Sequence, residues 1–131
     1  MGSTYLLDAN ALIALVIAEH EHHGRVAMWS KTVDTIALCP VTEGAMVRYL
    51  IRVGEAPATA LQLVAGLRES TKGDFWPDSI SYADTALEHV TGHRQVTYAY
   101  LASLAASRGA RLATFDEALA RTLPEHVELI A

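Results

Sequence analysis

Apolar and polar positions follow two rhythms in turn along this chain. Tyr5-Leu6-Leu7 is a short unbroken apolar run, the pattern of a strand buried on both faces. Asp8 follows it as an acid or helix N-cap, and from Ala11 helix formers continue to Ala18 with no Gly or Pro. Glu19 to Gly24, carrying His20, His22 and His23, makes a polar joint, and Arg25 to Lys31 places Val26, Met28 and Trp29 on a short amphipathic helix. Thr35 to Cys39 is a second buried strand that Pro40 ends. Thr42 then caps a helix through Met46, Val47, Leu50 and Ile51, which Gly54 stops. Pro57 opens another helix with Leu61, Leu63, Val64 and Leu67 on its apolar side, so two successive helices form a hairpin before the turn Ser70 to Gly73. Asp74 to Asp78 reads as a short strand or edge piece. Ser79 to Thr91 has the weakest pattern, with a helix expected from Asp84 to Val90. Thr97 caps a helix carrying Ala99, Leu101, Ala102, Leu104, Ala105 and Ala106, which stops at Ser107-Arg108-Gly109. Arg111 to Thr114 is a third strand, Asp116 leads into a short helix to Arg121, and Val127 to Ile130 is a closing strand.

Strands alternating with helices predict an α/β domain: a mostly parallel sheet covered on both faces. With 131 residues, 51% of them hydrophobic, the chain fits a single domain over residues 1–131. Ten basic against fifteen acidic residues give a net charge of -5, the opposite of the footprint of a protein that holds nucleic acid by charge alone. A phosphate substrate therefore requires a cation or a local basic patch. Arg48, Arg52, Arg94 and Arg108 are candidates for that contact, with solvated helix surface an equal alternative for each. The lone Cys39 excludes an internal disulfide framework and fits a reducing compartment, as a small core residue and not a nucleophile. No stretch resembles a signal peptide or reaches the ~18 apolar residues that span a bilayer, so a soluble, cytoplasmic protein with no membrane partner is expected.

In a parallel sheet the strand ends share one edge, where ligands bind. Asp8 follows the first strand, Glu43 starts the helix after the second, and Asp116 follows Arg111 to Thr114, so three carboxylates distant in sequence are expected to converge. Such a cluster repels itself unless it shares protons or holds a hard divalent ion through oxygen ligands, and Mg²⁺ or Mn²⁺ suits it. His20, His22 and His23 invite a zinc reading, but no Cys or fourth ligand stands at a known spacing, and solvated side chains are expected. Trp29 and Trp76 are expected to pack or to form a partner surface in preference to stacking bases. A nucleotide-binding or phosphoacceptor domain is disfavoured, because no Gly-x-Gly-x-x-Gly, no Gly-x-x-x-x-Gly-Lys-Ser/Thr and no paired acid at the first strand end is present.

Leu7-Asp8-Ala9-Asn10-Ala11-Leu12, Val41-Thr42-Glu43, Gly92-His93-Arg94-Gln95-Val96-Thr97 and Leu112-Ala113-Thr114-Phe115-Asp116 resemble, in order and spacing, the motifs of the PIN domain. They look most like those of the VapC ribonuclease toxins of bacterial toxin–antitoxin pairs. The resemblance implies a three-layer α/β/α fold with a central mostly parallel sheet and a helical hairpin. It further implies an acid quartet that binds Mg²⁺ or Mn²⁺ and hydrolyses RNA to a 5′-phosphate and a 3′-hydroxyl. Asp8, Glu43 and Asp116 match three of the four catalytic, metal-holding acids, and Asn10 and Thr114 match the small polar residues that support them. Implied partners are RNA, a second copy in a homodimer, and a VapB-type antitoxin whose C-terminal segment brings an apolar helix and an arginine to the acids. Leu61, Val64 and Leu67 are candidates for partner contact.

The fourth acid is missing. Where the family reads Val-Thr-Asp-Ala-Tyr-Leu, this chain reads Val96-Thr97-Tyr98-Ala99-Tyr100-Leu101. A phenol is neutral at pH 7 and a poor Mg²⁺ ligand. Asp84, Glu88 and Glu117 all lie off the motif position. Tyr98 is therefore expected to impair catalysis while leaving the fold intact, with a catalytically silent module acting by antitoxin or RNA binding as the alternative reading.

Overall fold

Strand β1 (Thr4–Leu7) lies at the centre of a five-stranded sheet in the computed structural model, which describes residues 3–131. β2 (Thr35–Leu38) pairs on one side of it and β3 (Gly73–Phe75) beyond; β4 (Arg111–Thr114) pairs on the other side and β5 (Val127–Leu129) beyond. The order is β3-β2-β1-β4-β5, and all four pairings are parallel, with Leu6 opposite Ala37 on one flank and Leu112 on the other. Among the described residues six α-helices connect the strands: α1 (Ala9–Val16), α2 (His23–Ser30), α3 (Pro40–Arg52), α4 (Pro57–Glu69), α5 (Val96–Ser107) and α6 (Glu117–Thr122).

The period-two geometry of a strand sends adjacent side chains to opposite faces. Leu7, Ile36, Leu38 and Ala113 join one core with Leu12, Met46 and Leu50, under α1 to α4. Leu6, Ala37 and Leu112 join the other with Leu101, Leu104 and Leu119, under α5 and α6. Both faces are covered, which is why the strands read as unbroken apolar runs. The predicted α/β architecture with its helical hairpin, α3 and α4, is what the chain adopts. Among the described residues no helix is long and apolar enough to cross a membrane.

Local differences from the sequence reading have identifiable causes. α3 starts at Pro40, which fills a first-turn position where its missing N–H costs nothing. Thr42 therefore sits inside the first turn and does not cap it; its hydroxyl accepts from the Cys39 N–H at 3.1 Å. Thr97 likewise lies inside α5, behind a short 3₁₀ turn, His93–Gln95. There the Gln95 Oε1 accepts from the N–H groups of Thr91 and Gly92 at 2.5 and 3.2 Å. The expected helix from Asp84 to Val90 is absent. A 3₁₀ turn, Tyr82–Asp84, capped by the Ser81 hydroxyl, takes its place, and the following chain is tied down by the Ala86 N–H donating to Ser103 Oγ at 3.2 Å. α2 begins two residues early, at His23, whose Nδ1 lies 2.8 Å from the Ala14 carbonyl. The histidines of the joint are thus half-buried and bonded, with the His22 N–H donating to His20 Nδ1 at 3.0 Å, where solvated side chains were expected.

Both tryptophans pack. Trp76 is buried and donates its Nε1–H to Asp74 Oδ2 at 3.1 Å, and Trp29 meets Tyr5 edge-on at 5.2 Å between ring centroids. On α4, Val64 and Leu67 turn into the first core and only Leu61 stays largely exposed. Gly73 has a close-packing role: a Cβ there would stand 2.0 Å from the Leu67 carbonyl oxygen, at the passage from α4 into β3. Gly109, at φ +67°, takes the left-handed position that ends α5.

Candidate active site

The strand order reverses between β1 and β4: the chain leaves β1 towards α1 on one face, and leaves β4 towards α6 on the other. Connections that diverge in this way open a crevice at the carboxyl ends of the two strands, the switch point at which open α/β sheets bind ligands. Asp8 is the residue immediately after β1. Thr114 is the last residue of β4, and Asp116 follows it by two. The topology alone therefore brings two acids, 108 residues apart in sequence, to one spot.

Each acid doubles as a helix cap. Asp8 Oδ1 accepts from the Ala11 N–H at 2.8 Å and Asp116 Oδ1 from the Leu119 N–H at 3.0 Å, so the orphan donors at the starts of α1 and α6 aim the two carboxylates. Thr114 ties them together. Its hydroxyl donates to Asp8 Oδ2 at 2.5 Å while its oxygen accepts from the Asp116 N–H at 3.1 Å. A hydroxyl has one proton and two lone pairs, so one side chain serves both acids.

The two carboxylates differ in their surroundings. Asp8 is 2% exposed, whereas Asp116 lies open to solvent. Burial pushes the Asp8 carboxyl up to about 6; the Thr114 and Ala11 hydrogen bonds pull it back in part, and the neighbouring charge of Asp116 adds to the rise. Asp8, Asn10, Tyr98, Thr114, Phe115 and Asp116 line a cavity of about 250 Å³. Adjoining it, Asp8, Asn10 and Tyr98 also border a second space of about 290 Å³, with Thr42, Arg48, Arg94 and Thr97 on its far walls.

Of the residues expected at the site, Asp8, Asn10, Thr114 and Asp116 come together, and Tyr98 stands beside them in the place its motif position implies. Burial first, then the charges of Asp8 and Asp116, hold the Tyr98 phenol above its ordinary value, so it is a neutral hydroxyl. Glu43 lies in the first turn of α3 at the same sheet edge but lines neither cavity. Its carboxyl is raised by burial, and its charged neighbours are Arg68, which opposes the rise, and Asp78, which adds to it. Asp84, Glu88 and Glu117 border neither cavity either; Asp84 lines a separate space together with His89, His126 and residues of α5, and Glu117 faces Arg121 at 3.9 Å.

A hard divalent cation suits the donors that do converge. Two carboxylates and an amide are oxygen ligands of the kind Mg²⁺ and Mn²⁺ take, and Mg²⁺ is commonly held by one or two carboxylates, with water and phosphate oxygens completing its shell. Asp8 supplies the structural reason: a carboxyl raised chiefly by burial, and further by the charge of Asp116 beside it, is relieved by a cation between the two. Among the described residues no three His, Cys, Asp or Glu side chains gather around one point, so the protein contributes a partial shell there.

Phe115 escaped the sequence reading as a site residue. It walls the first cavity, with the Arg25 guanidinium over its ring at 4.6 Å and the His22 ring at 4.8 Å. Its place between Thr114 and Asp116 was the available signal. The contact with Arg25 was not readable, because it joins segments 90 residues apart.

The sequence profile of the PIN domain matches residues 5–122. Ribonuclease VapC29 of Mycobacterium tuberculosis is 50% identical over 118 residues, covering 89% of this chain and 89% of its own. Ribonuclease VapC38 of the same species is 39% identical over 118 residues, covering 85% of this chain and 84% of its own. Among solved structures, Mycobacterium tuberculosis VapC20, a toxin that cleaves the sarcin–ricin loop, superposes with a TM-score of 0.69 at 16% identity, over 98% of this chain and 100% of that one. VapBC2 from Rickettsia felis, bound to a DNA fragment from its promoter, superposes with a TM-score of 0.65 at 16% identity, over 98% and 99%.

Proposed function

This chain belongs to the PIN-domain family, and from that membership we propose that it is a VapC-type toxin, a hydrolase of RNA phosphodiesters neutralised by a VapB-type antitoxin. The observation that carries the reading is kinship with ribonucleases along nearly the whole chain, with two of the expected acids joined at the sheet's switch point by one threonine. The protein acts in the cytoplasm as one domain, paired with a second copy. Substrate and antitoxin meet it at the Asp8–Asp116 crevice.

Asp8 and Asp116 would hold Mg²⁺ or Mn²⁺, with Glu43 as the remaining acid of the same edge. When bound there, the ion makes water a better nucleophile and offsets the charge of the phosphate oxygens. The chain's own residues prepare that site. The Ala11 N–H and Thr114 hydroxyl fix both oxygens of Asp8, and the Leu119 N–H fixes one of Asp116, so neither carboxylate must be ordered when substrate arrives. With its carboxyl near 6, Asp8 is charged at neutral pH and loses that charge in mild acid. Asn10, exposed on the cavity wall, offers amide hydrogens to a phosphate oxygen.

Tyr98 sets the level of activity. A neutral phenol beside Asp8 and Asp116 leaves the pocket one negative charge short of the family pattern, so it holds a divalent cation more weakly and catalysis falls. This placement also favours a second reading, a silent module that works through antitoxin or RNA binding. Incubating transfer and ribosomal RNA with Mg²⁺ or Mn²⁺ and either this chain or Tyr98→Asp separates the two, with EDTA and Asp8→Ala as controls. Cleavage by Tyr98→Asp, weak or no cleavage by this chain, and none by Asp8→Ala is the expected result. No cleavage by either form would remove the enzyme reading in favour of the module.

A further inference from the structure

Ten cationic side chains are set against fifteen acids in this chain, and most are engaged locally. Arg111 pairs with Glu128 at 2.8 Å, Arg121 faces Glu117, and Lys72 donates to the Ser30 carbonyl at 2.7 Å. Arg25, Arg52, Arg68 and Arg108 each lie over an aromatic ring. The exceptions near the site are Arg48, from α3, and Arg94, from the 3₁₀ turn before α5. Both are exposed and line the space that contains Asp8 and Asn10, and among the described residues neither has a carboxylate oxygen within 4.0 Å. Two guanidinium groups that share a cavity with an acid and do not pair with it leave their fork of N–H donors free for an oxyanion.

Resting on the ribonuclease reading above, we infer that Arg48 and Arg94 form a clamp for the RNA phosphate next to the scissile one, on the Asn10 side of the acids. The arrangement separates two tasks. The space containing Asp116 lacks both arginines, and the space containing both arginines lacks Asp116; Asp8, Asn10 and Tyr98 border the two. A strand laid across Asn10 thus meets the acids at one phosphate and the guanidinium groups at its neighbour. The clamp is anchored as well as charged. Gln95 Oε1 takes N–H groups from Thr91 and Gly92 and the Thr91 hydroxyl, which pins the turn that carries Arg94. Arg48 reaches back one turn along α3, its guanidinium nitrogen 3.5 Å from where a Cβ would stand on Gly44. The clamp also explains how a protein of charge -5 accepts a polyanion: the local field on this wall is positive although the whole is not. Arg48 and Arg94 are positioning residues, and they set KM in preference to kcat.

Fluorescence anisotropy of a labelled single-stranded oligoribonucleotide of mixed sequence, titrated with the full chain at several salt concentrations, tests the clamp without requiring turnover. The double variant Arg48→Gln/Arg94→Gln should bind roughly tenfold more weakly. Its plot of log K against log salt should be shallower by about 0.7, the value for one lost single-strand phosphate contact. Arg48→Lys/Arg94→Lys should keep most of the slope, and Arg108→Gln, over Trp76 and away from both cavities, should bind as the parent does. In the Tyr98→Asp background the Gln pair should raise KM about tenfold with kcat little changed. If Tyr98→Asp cleaves RNA while the Gln pair alters neither KM nor the salt slope, the clamp is refuted and the ribonuclease reading stands. Weaker binding with an unchanged slope would mean a structural role and equally refute it. If neither the parent nor Tyr98→Asp binds RNA at any salt, both readings fall.

Discussion

Replacing Asp8 with asparagine should make the metal-free protein more stable at neutral pH, although it destroys the proposed site. The carboxyl is 2% exposed and titrates near 6 instead of its ordinary 3.8. An acid whose folded-state value is raised binds its proton more tightly in the folded chain than in the unfolded one. Folding stability is therefore fully present below about 4 and is lost as pH rises through about 6. A rise of about two units, at about 1.4 kcal/mol per unit, makes the loss about 3 kcal/mol at pH 7.5. The asparagine side chain carries no charge, caps a helix about as well as aspartate, and still accepts from the Ala11 N–H or the Thr114 hydroxyl, so little of the gain is given back. In EDTA at pH 7.5, Asp8→Asn should gain about 1–3 kcal/mol in urea unfolding, or roughly 3–9 °C in thermal midpoint. The difference between the two proteins should close between pH 6 and pH 4, a subtraction that cancels the six histidines. Added Mg²⁺ should narrow the gap from the other side by stabilising only the parent. A variant less stable than the parent at pH 7.5, with a pH profile parallel to it, would refute the reasoning, because burial would then not be straining Asp8.

Three further outcomes follow from the same geometry. Thr114→Val removes the donor to Asp8 Oδ2 and the acceptor for the Asp116 N–H at once; it should cost about 2–3 kcal/mol in urea unfolding and move the Asp8 carboxyl further above 6 in a carbon-13 NMR titration. Tyr98→Asp places a third acid beside Asp8 and Asp116, so its thermal midpoint in EDTA should fall and its rise on adding Mn²⁺ should exceed that of the parent; equal responses would separate Tyr98 from ion binding. Gly73→Ala should lose about 3 kcal/mol, since its methyl would meet the Leu67 and Arg68 carbonyl oxygens at 2.0 and 2.7 Å, and a loss below about 1 kcal/mol would show that the α4–β3 passage yields easily.

The parts of the molecule legible in the sequence are those whose signal is local. Leu6-Leu7, Ile36 to Leu38 and Leu112-Ala113 are buried on both faces, so an unbroken apolar run marks each strand whatever its neighbours. Asp8 and Asp116 were legible for the same reason, as Asp8 follows β1 directly, Asp116 follows β4 by two residues, and each caps the helix that comes next. The segment from Ser79 to Thr91 was not. Its conformation is decided by α5, through the Tyr100 hydroxyl donating to the Ile80 carbonyl at 3.1 Å and Ser103 accepting from the Ala86 N–H, and no periodicity within the segment records those bonds. Thr42 and Thr97 failed as caps because a residue suited to capping does not fix the helix start when Pro40 and the turn before Val96 set it earlier.

The acid set divides along the same line. Asp8 and Asp116 hang from β1 and β4, neighbours in register, so their meeting follows from strand order and cannot shift without breaking the sheet. Glu43 is carried by a helix, in a turn whose direction depends on how Pro40 leaves β2, and its charge is favoured by Arg68 and opposed by Asp78. Two acids are thus built into the sheet, and one is placed by helix packing. The same division bears on Tyr98. It is carried by α5, whose position depends on buried residues such as Tyr100, Leu104 and Ala105, none of which lines either acid-bearing cavity. Tyr98 also packs, half-buried, against that core, so Tyr98→Asp adds a charge to the crevice and removes one ring from the packing, while the fully buried side chains of α5 stay in place. On the proposed reading, one fold can thus carry either an acid or a neutral phenol in the crevice through a change of one side chain.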